Sequence, residues 1–226
     1  MTVHYSETSE QAQRAVRVTP ERASKKPYRN GGKRVLDIVI VLLTAPFVVP
    51  IIAILALLIA RDGANPFYVQ SRVGAQGKLY KMWKLRSMVV NAESKLEAYL
   101  ASNADARAEW VRDQKLKSDP RITRFGKLLR RSSMDELPQL WNVLRGDMSL
   151  VGPRPMMPSQ QAIYPGHDYY ELRPGITGSW QVSERNESTF ADRAAFDTAY
   201  NKDLSLAHDT RILAATVRVV LKATGY

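Results

Sequence analysis

The chain has 226 residues, 45% of them hydrophobic, enough for one good core or for a core plus a membrane element. It has no cysteine, which excludes disulfides, thiolate metal sites and cysteine nucleophiles. The net charge of +11 asks for an anionic partner, and nucleic acid, anionic lipid headgroups and phosphorylated substrates all qualify on charge alone.

Residues 1–32 are polar and irregular, with Pro20, Pro27 and the pair Gly31–Gly32. They lack the apolar block of a secretory signal and read as a mobile basic tail. The segment 33–61 changes character, with "KRVLDIVIVLLTAPFVVPIIAILALLIA" carrying no charge from Ile38 to Ala60. As a straight helix that run is about 34 Å long, enough to cross a hydrocarbon core of about 30 Å. Pro46 and Pro50 inside it each remove a backbone donor, and Lys33, Arg34 and Arg61 flank both ends. A spanning helix and a hairpin that returns to the same face both satisfy these facts. A buried soluble helix is the third reading. Asp37 lies three residues after Arg34 and four after Lys33, a spacing that allows a helical ion pair anchoring the segment at the membrane boundary.

Residues 62–226 follow the apolar run. Within them, "NPFYVQSRVGAQGKLYKMWKLRSM" (65–88) predicts a β-hairpin turning through Gly74 and Gly77. Its cations face either phosphate or plain solvent. Leu96, Tyr99, Leu100, Trp110, Val111 and Leu116 predict one amphipathic helix over 91–116, able to lie in the headgroup plane. Next come Arg121, Arg124, Lys127, Arg130 and Arg131, opposite Ile122, Phe125, Leu128 and Leu129 on a second amphipathic helix.

Ser133 and Glu136 fit the capping box S-x-x-E. Leu137, Leu140, Trp141 and Leu144 then continue as a buried stripe that Gly146 ends. Asp135 and Glu136 therefore read first as first-turn carboxylates favoured by the helix dipole. The arginines upstream open a second reading, because a helix N-terminus is also an anion site. Carboxylates there can hold a magnesium ion shared with a phosphate, or attack phosphorus. Arg154, between two prolines in "GPRP", suits a fixed phosphate or nucleotide clamp, or else caps a turn. Neither a P-loop nor a G-x-G-x-x-G motif is present. The last apolar stretch, interrupted by Arg211 and Arg218, predicts a helix beside the membrane segment or on the surface.

Taken in order, "KRVLD", "RVGAQGKLYKMWKLRSM", "DPRITRFGKLLRRSSMDELPQLWNVLRGDMSLVGPRP" and "YYELRPGITGSWQVSERN" resemble the bacterial sugar transferases, the monotopic phosphoglycosyltransferases, from Lys33 to the C-terminus. The likeness is to the short exopolysaccharide-production type. It implies an α+β, mostly helical, monotopic protein with a re-entrant hairpin broken at Pro46, both ends on the cytoplasmic face of the bacterial inner membrane, and with residues 62–226 as a cytoplasmic catalytic domain lying on the membrane surface. It implies transfer of a sugar-1-phosphate from a UDP-sugar to undecaprenyl phosphate, with release of UMP and with Mg2+. Asp135 would be the nucleophile that carries the phosphosugar, and Glu136 the magnesium ligand. Arg154, with Arg121, Arg130 and Arg131, would bind phosphate or nucleotide. The expected partners are the two substrates and inner-membrane lipids rather than nucleic acid, with a dimer possible. Leu85 and Ser87 stand where the family more usually has Phe and Thr, departures expected to lie outside the chemistry. Two rival classes are a non-catalytic membrane tether binding nucleic acid or anionic lipid, and a glycosyltransferase releasing UDP.

Overall fold

A computed structural model describes residues 27–113, 116, 118–183 and 190–221, so most of the expected tail, 1–26, lies outside the described residues. The protein is mostly helical with two small sheets, as the α+β reading expects. Residues 28–32, assigned to the tail by sequence, form instead a π-helical turn. Tyr28 donates its hydroxyl to Asp209 Oδ2 at 2.6 Å, and Arg29 donates to the Asn201 side chain at 2.7 Å. Residues 28–32 are therefore part of the folded domain and not of a mobile tail.

Helix α1, Lys33–Ala60, runs unbroken through Pro46 and Pro50. The expected break at Pro46 does not divide the helix into two. Each proline deletes one donor, and the remaining bonds of a long apolar helix carry it past both. Thr44 returns its hydroxyl to the carbonyls of Ile40 (2.8 Å) and Val41 (3.2 Å), a bond pattern that bends helices. Side chains in the middle of α1, such as Leu43 (70% exposed) and Phe47 (74%), are largely exposed, whereas both ends are packed. Near the start, Val41 joins a core with Met82, Val143, Met148 and Leu150. Near the finish, Ile52, Leu55, Ala56 and Ile59 join a second core with Leu85 and Leu129.

The expected hairpin is present. β1 (Phe67–Val73) pairs antiparallel with β2 (Leu79–Leu85), and Gly77 supplies the positive φ (+74°) that the turn requires. The helix expected over 91–116 divides into α2 (Ala92–Ser102) and α3 (Ala104–Asp113). Asn103 causes the division, since its side chain leaves the helix to accept from the Ala106 N–H at 2.9 Å.

Helix α4 (Arg124–Arg131) is N-capped by Thr123, whose hydroxyl accepts from the Gly126 N–H at 2.8 Å. It is followed by a 3-10 turn, Met134–Glu136, and by α5, Gln139–Arg145. Gly146 (φ +88°) ends α5 as expected. The short strands β3 (Ser149–Val151) and β4 (Gly175–Thr177) pair in parallel. They are separated by the one-turn helix α6 (Asp168–Glu171) and followed by another, α7 (Ser179–Val182). Helices α8 (Arg193–Asp203) and α9 (Leu206–Leu221) complete the fold. The C-terminal helix lies beside the start of α1, where Asp209 pairs with Lys33.

Candidate active site

The capping box does not form. Ser133 adopts a left-handed backbone (φ +56°) and makes no side-chain cap. Pro138 explains why the helix starts late. A proline five residues into a helix begun at Met134 would delete a bond and clash, so 134–136 closes as a single 3-10 turn and α5 begins beyond the proline. The stripe buried by α5 is also different. Gln139, Asn142 and Val143 are buried, while Trp141 is 56% exposed.

Instead of reaching back to Ser133, Glu136 reaches Lys84 of β2, Oε1 to Nζ, at 2.7 Å. The same ammonium stands 4.0 Å from Asp135 Oδ2. Asn142, fully buried, latches α5 to this strand by accepting from the Trp83 N–H (3.0 Å) and donating to the Lys81 carbonyl (2.7 Å). Sequence reasoning singled out neither Lys84 nor Asn142. The signal for Lys84 was the hairpin's alternation, which sets Tyr80, Met82 and Lys84 on one face.

Asp135 is 6% exposed. Burial pushes its carboxyl above the usual carboxylate range and Glu136 adds to the rise, while Lys84 and Arg130 oppose it. Arg130, itself largely buried, faces Asp135, Asp119 and Glu136. Its Nε donates to Ser87 Oγ at 2.9 Å. Ser87 is thus not remote from the site, as expected, but holds the arginine beside the carboxylates. The backbone here is closely fitted, since a Cβ on Gly126 would lie 1.9 Å from the Ser87 carbonyl oxygen.

The remaining expected residues divide. Arg121 is buried, its fork bonded to both oxygens of Asp119 at 2.6–3.1 Å and its Cζ 5.4 Å from the Trp110 ring centroid. Its guanidinium is committed to holding the loop before α4. Arg131 is exposed. Arg154 stands over Trp180 in a separate group with Arg72 and Arg193. The ion pair expected between Asp37 and Arg34 or Lys33 is replaced by longer reaches. Arg34 donates to the carbonyls of Val143 and Leu144 at the end of α5, Lys33 pairs with Asp209, and Asp37 accepts from the Leu150 N–H at 3.1 Å. All three fasten the apolar helix α1 to the domain rather than to itself.

Among the described residues no three metal-ligating side chains come together. Two adjacent carboxylates beside an arginine nevertheless match the sparse protein share of a magnesium site completed by substrate phosphate.

The family model for bacterial sugar transferases matches residues 28–223. The chain belongs to that family. It is 49% identical over 195 residues to a UDP-galactose-lipid carrier transferase of Erwinia amylovora, covering 85% of this chain and 41% of the relative. An undecaprenyl-phosphate galactose phosphotransferase of Salmonella typhimurium is 46% identical with the same coverage. The exopolysaccharide production protein ExoY of Rhizobium meliloti is 38% identical over 214 residues, 92% of this chain and 93% of the relative. The chain thus spans about two fifths of the first two relatives and nearly all of the third. The matched span covers every residue of the Asp135 site and the helix packed beneath it.

Proposed function

We propose that the protein transfers a sugar-1-phosphate from a UDP-sugar to undecaprenyl phosphate and releases UMP, opening exopolysaccharide or glycan assembly at the membrane. The observation that carries this reading is a buried aspartate, Asp135, held between the cations Lys84 and Arg130 and next to Glu136. Lys84 and Arg130 oppose the rise that burial imposes on the carboxyl and would neutralise an incoming diphosphate. An Asp135 carboxylate oxygen attacks the sugar-bearing phosphorus, and the bond from that phosphorus to the bridging oxygen breaks, so UMP departs with the electron pair. A phosphate oxygen of the lipid then attacks the same phosphorus and breaks its bond to Asp135, which regenerates the carboxylate. Two displacements in sequence let one small site serve two bulky substrates. Magnesium, held by Glu136 and substrate oxygens, would supply charge neutralisation there.

The membrane arrangement follows the same reading. Both ends of α1 pack on one domain while its middle is bare and apolar, which favours a continuous helix that enters the bilayer from one face, bent near Thr44 and its prolines and not split there, over one that ends on the far side. Leu128 (60% exposed), Met134 (39%) and Trp141 (56%) flank Asp135, among Arg124, Lys127 and Arg131, in the pattern of an interfacial surface. On this reading the domain would lie on the cytoplasmic face of the inner membrane.

The test is nucleotide release by the detergent-solubilised chain given UDP-sugars, undecaprenyl phosphate and magnesium. UMP is expected from the parent and none from Asp135→Asn. UDP as the product, or undiminished turnover in the variant, would refute the proposal.

A further inference from the structure

Four consecutive residues at the end of β2 each reach a different part of the fold. Lys84 meets the carboxylate pair, its Nζ 2.7 Å from Glu136 Oε1 and 4.0 Å from Asp135 Oδ2. Leu85 packs with Ile59 of α1 and Leu129 of α4. The Ser87 hydroxyl accepts from Arg130 Nε at 2.9 Å, and the Ser87 carbonyl accepts from the Thr123 N–H at 3.1 Å, at the start of α4. Arg86, between Leu85 and Ser87, reaches the exit of α1. Its Nε donates to the Asn65 carbonyl at 2.8 Å, and one Nη donates to Asp62 Oδ1 at 2.6 Å and to the Ile59 carbonyl at 3.4 Å. Its backbone N–H donates to the Pro66 carbonyl at 2.8 Å.

These four acceptors all lie within residues 59–66, where α1 ends and β1 begins. Ile59 supplies one of the last four carbonyls of α1, which have no partner inside the helix, and a cation there also complements the helix dipole. A lysine would supply the charge as a point, whereas the planar fork of an arginine reaches a carboxylate and two carbonyls at once. An ion pair this open, with the Asp62 side chain 51% exposed, adds little stability of its own. Its consequence is geometric. Asn142 secures β2 ahead of Lys84, at Lys81 and Trp83, and Arg86 secures the chain just beyond it. Lys84 is thereby pinned from both sides, and the residue after Arg86 carries the hydroxyl that holds Arg130. Lys84 and Arg130 are the two cations that oppose the rise imposed on Asp135 by burial and by Glu136.

We propose that Arg86 is a positioning residue for the Asp135 site, fastening the exit of α1 to the segment that delivers Lys84 and holds Arg130. Coulomb attraction falls with the inverse of distance, so a retreat of about 1 Å from the 4.0 Å separation forfeits about one fifth of it. Without the clasp, Asp135 stays protonated to higher pH. The clasp itself does not titrate in that range, because the hydrogen bond from Arg86 holds the Asp62 carboxyl below the usual carboxylate range. The effect of Arg86 on turnover rests on the proposed reaction, whereas its effect on Asp135 rests on the geometry alone.

Carboxyl NMR of the full chain in detergent, isotopically labelled at aspartate and followed against pH, tests this. The Asp135 signal is the one lost in Asp135→Asn. Arg86→Gln is expected to raise its titration midpoint by about half a pH unit, about threefold in the ionised fraction at a fixed pH below it. Arg86→Lys should recover part of that shift, and Asp62→Asn, which leaves both carbonyl bonds, should move the midpoint the same way by less. In a Lys84→Met chain the shift caused by Arg86→Gln should shrink, because one of the two positioned cations is gone. A midpoint unmoved by Arg86→Gln overturns the proposal, even where the thermal midpoint falls, since that would mark Arg86 as a helix cap only. An undiminished shift in the Lys84→Met chain overturns it too. Should Arg86→Gln fail to fold, Arg86→Lys and Asp62→Asn decide, and a midpoint unmoved in both is the refuting result. UMP release against pH is the second readout, and its acid limb should follow the NMR midpoint. A chain whose midpoint shifts but which releases no UMP keeps this role for Arg86 and loses the proposed reaction, and UMP release with an unmoved midpoint does the reverse.

Discussion

Lys84→Met removes the ammonium that stands 4.0 Å from Asp135 Oδ2 and 2.7 Å from Glu136 Oε1. At an effective dielectric constant of about 20, a unit charge pair at that longer distance is worth about 4 kcal/mol. Lys84 is 21% exposed, so screening leaves a fraction of this. Even one third, about 1.4 kcal/mol, equals one pH unit of preference for the protonated carboxylic acid. Burial already raises Asp135, and Lys84 is the first charge opposing that rise. Without it the nucleophile stays protonated to higher pH. The assay is UMP release against pH, reported as kcat/KM. The acid limb should move up by about one unit or more, costing about tenfold in rate at a fixed pH on that limb. Lys84→Arg should restore most of it. A variant that loses rate by the same factor at every pH, its acid limb unmoved, would show that Lys84 binds substrate and does not tune Asp135.

Two further outcomes concern stability. Burial raises Asp197 from 3.8 to about 6, so the folded chain binds this proton more tightly than the unfolded one does. Its effect on stability is therefore absent below about pH 4, grows as pH rises through 6, and is destabilising above that by about 3 kcal/mol at 1.36 kcal/mol per unit. Asp197→Asn should raise the thermal midpoint at pH 7.5 and leave it nearly unchanged at pH 4, and a gain of equal size at both would contradict the assignment. Gly126→Ala should destabilise by several kcal/mol, because its methyl would meet the Ser87 carbonyl oxygen at 1.9 Å in a backbone–backbone contact that no side chain can relieve. An unchanged thermal midpoint would disprove that fit.

What the sequence made legible was local. The hairpin could be read because Gly74 and Gly77 interrupt two β-rich runs, and the end of α5 because Gly146 supplies a left-handed residue. The carboxylate pair was visible as a pair, but its partner was not. The capping-box pattern at Ser133 and Glu136 is a local preference worth about 1 kcal/mol, and an ammonium 52 residues away in sequence outbids it. Asn142 looks like an ordinary polar helix residue until the fold shows β2 against it. Trp141 was assigned to the core because apolar stripes on short helices usually are, and next to a membrane segment an exposed tryptophan has somewhere else to go. Arg121 and Arg154 sit in motifs that look equally ready for phosphate, yet one is spent on Asp119 and the other is not.

The connection between the apolar helix α1 and the Asp135 site runs through neighbours in sequence. Ile59, near the end of α1, packs in one small core with Leu85 and Leu129. Leu85 follows Lys84, and Leu129 precedes Arg130, the two cations that face Asp135. The other end of α1 is tied through Arg34 to the last carbonyls of α5 and through Asp37 to β3. The apolar helix therefore fixes the strand that delivers Lys84, the helix that delivers Arg130 and the end of the helix that follows the carboxylates. Packed interiors resist small displacements, so these elements cannot shift independently. In the proposed reaction the lipid phosphate would wait at one depth, set by the headgroup layer, and a site for it would have to be held at that depth. If α1 lies in the bilayer as proposed, fastening both its ends to the elements that carry the cations would set that height from the fold itself.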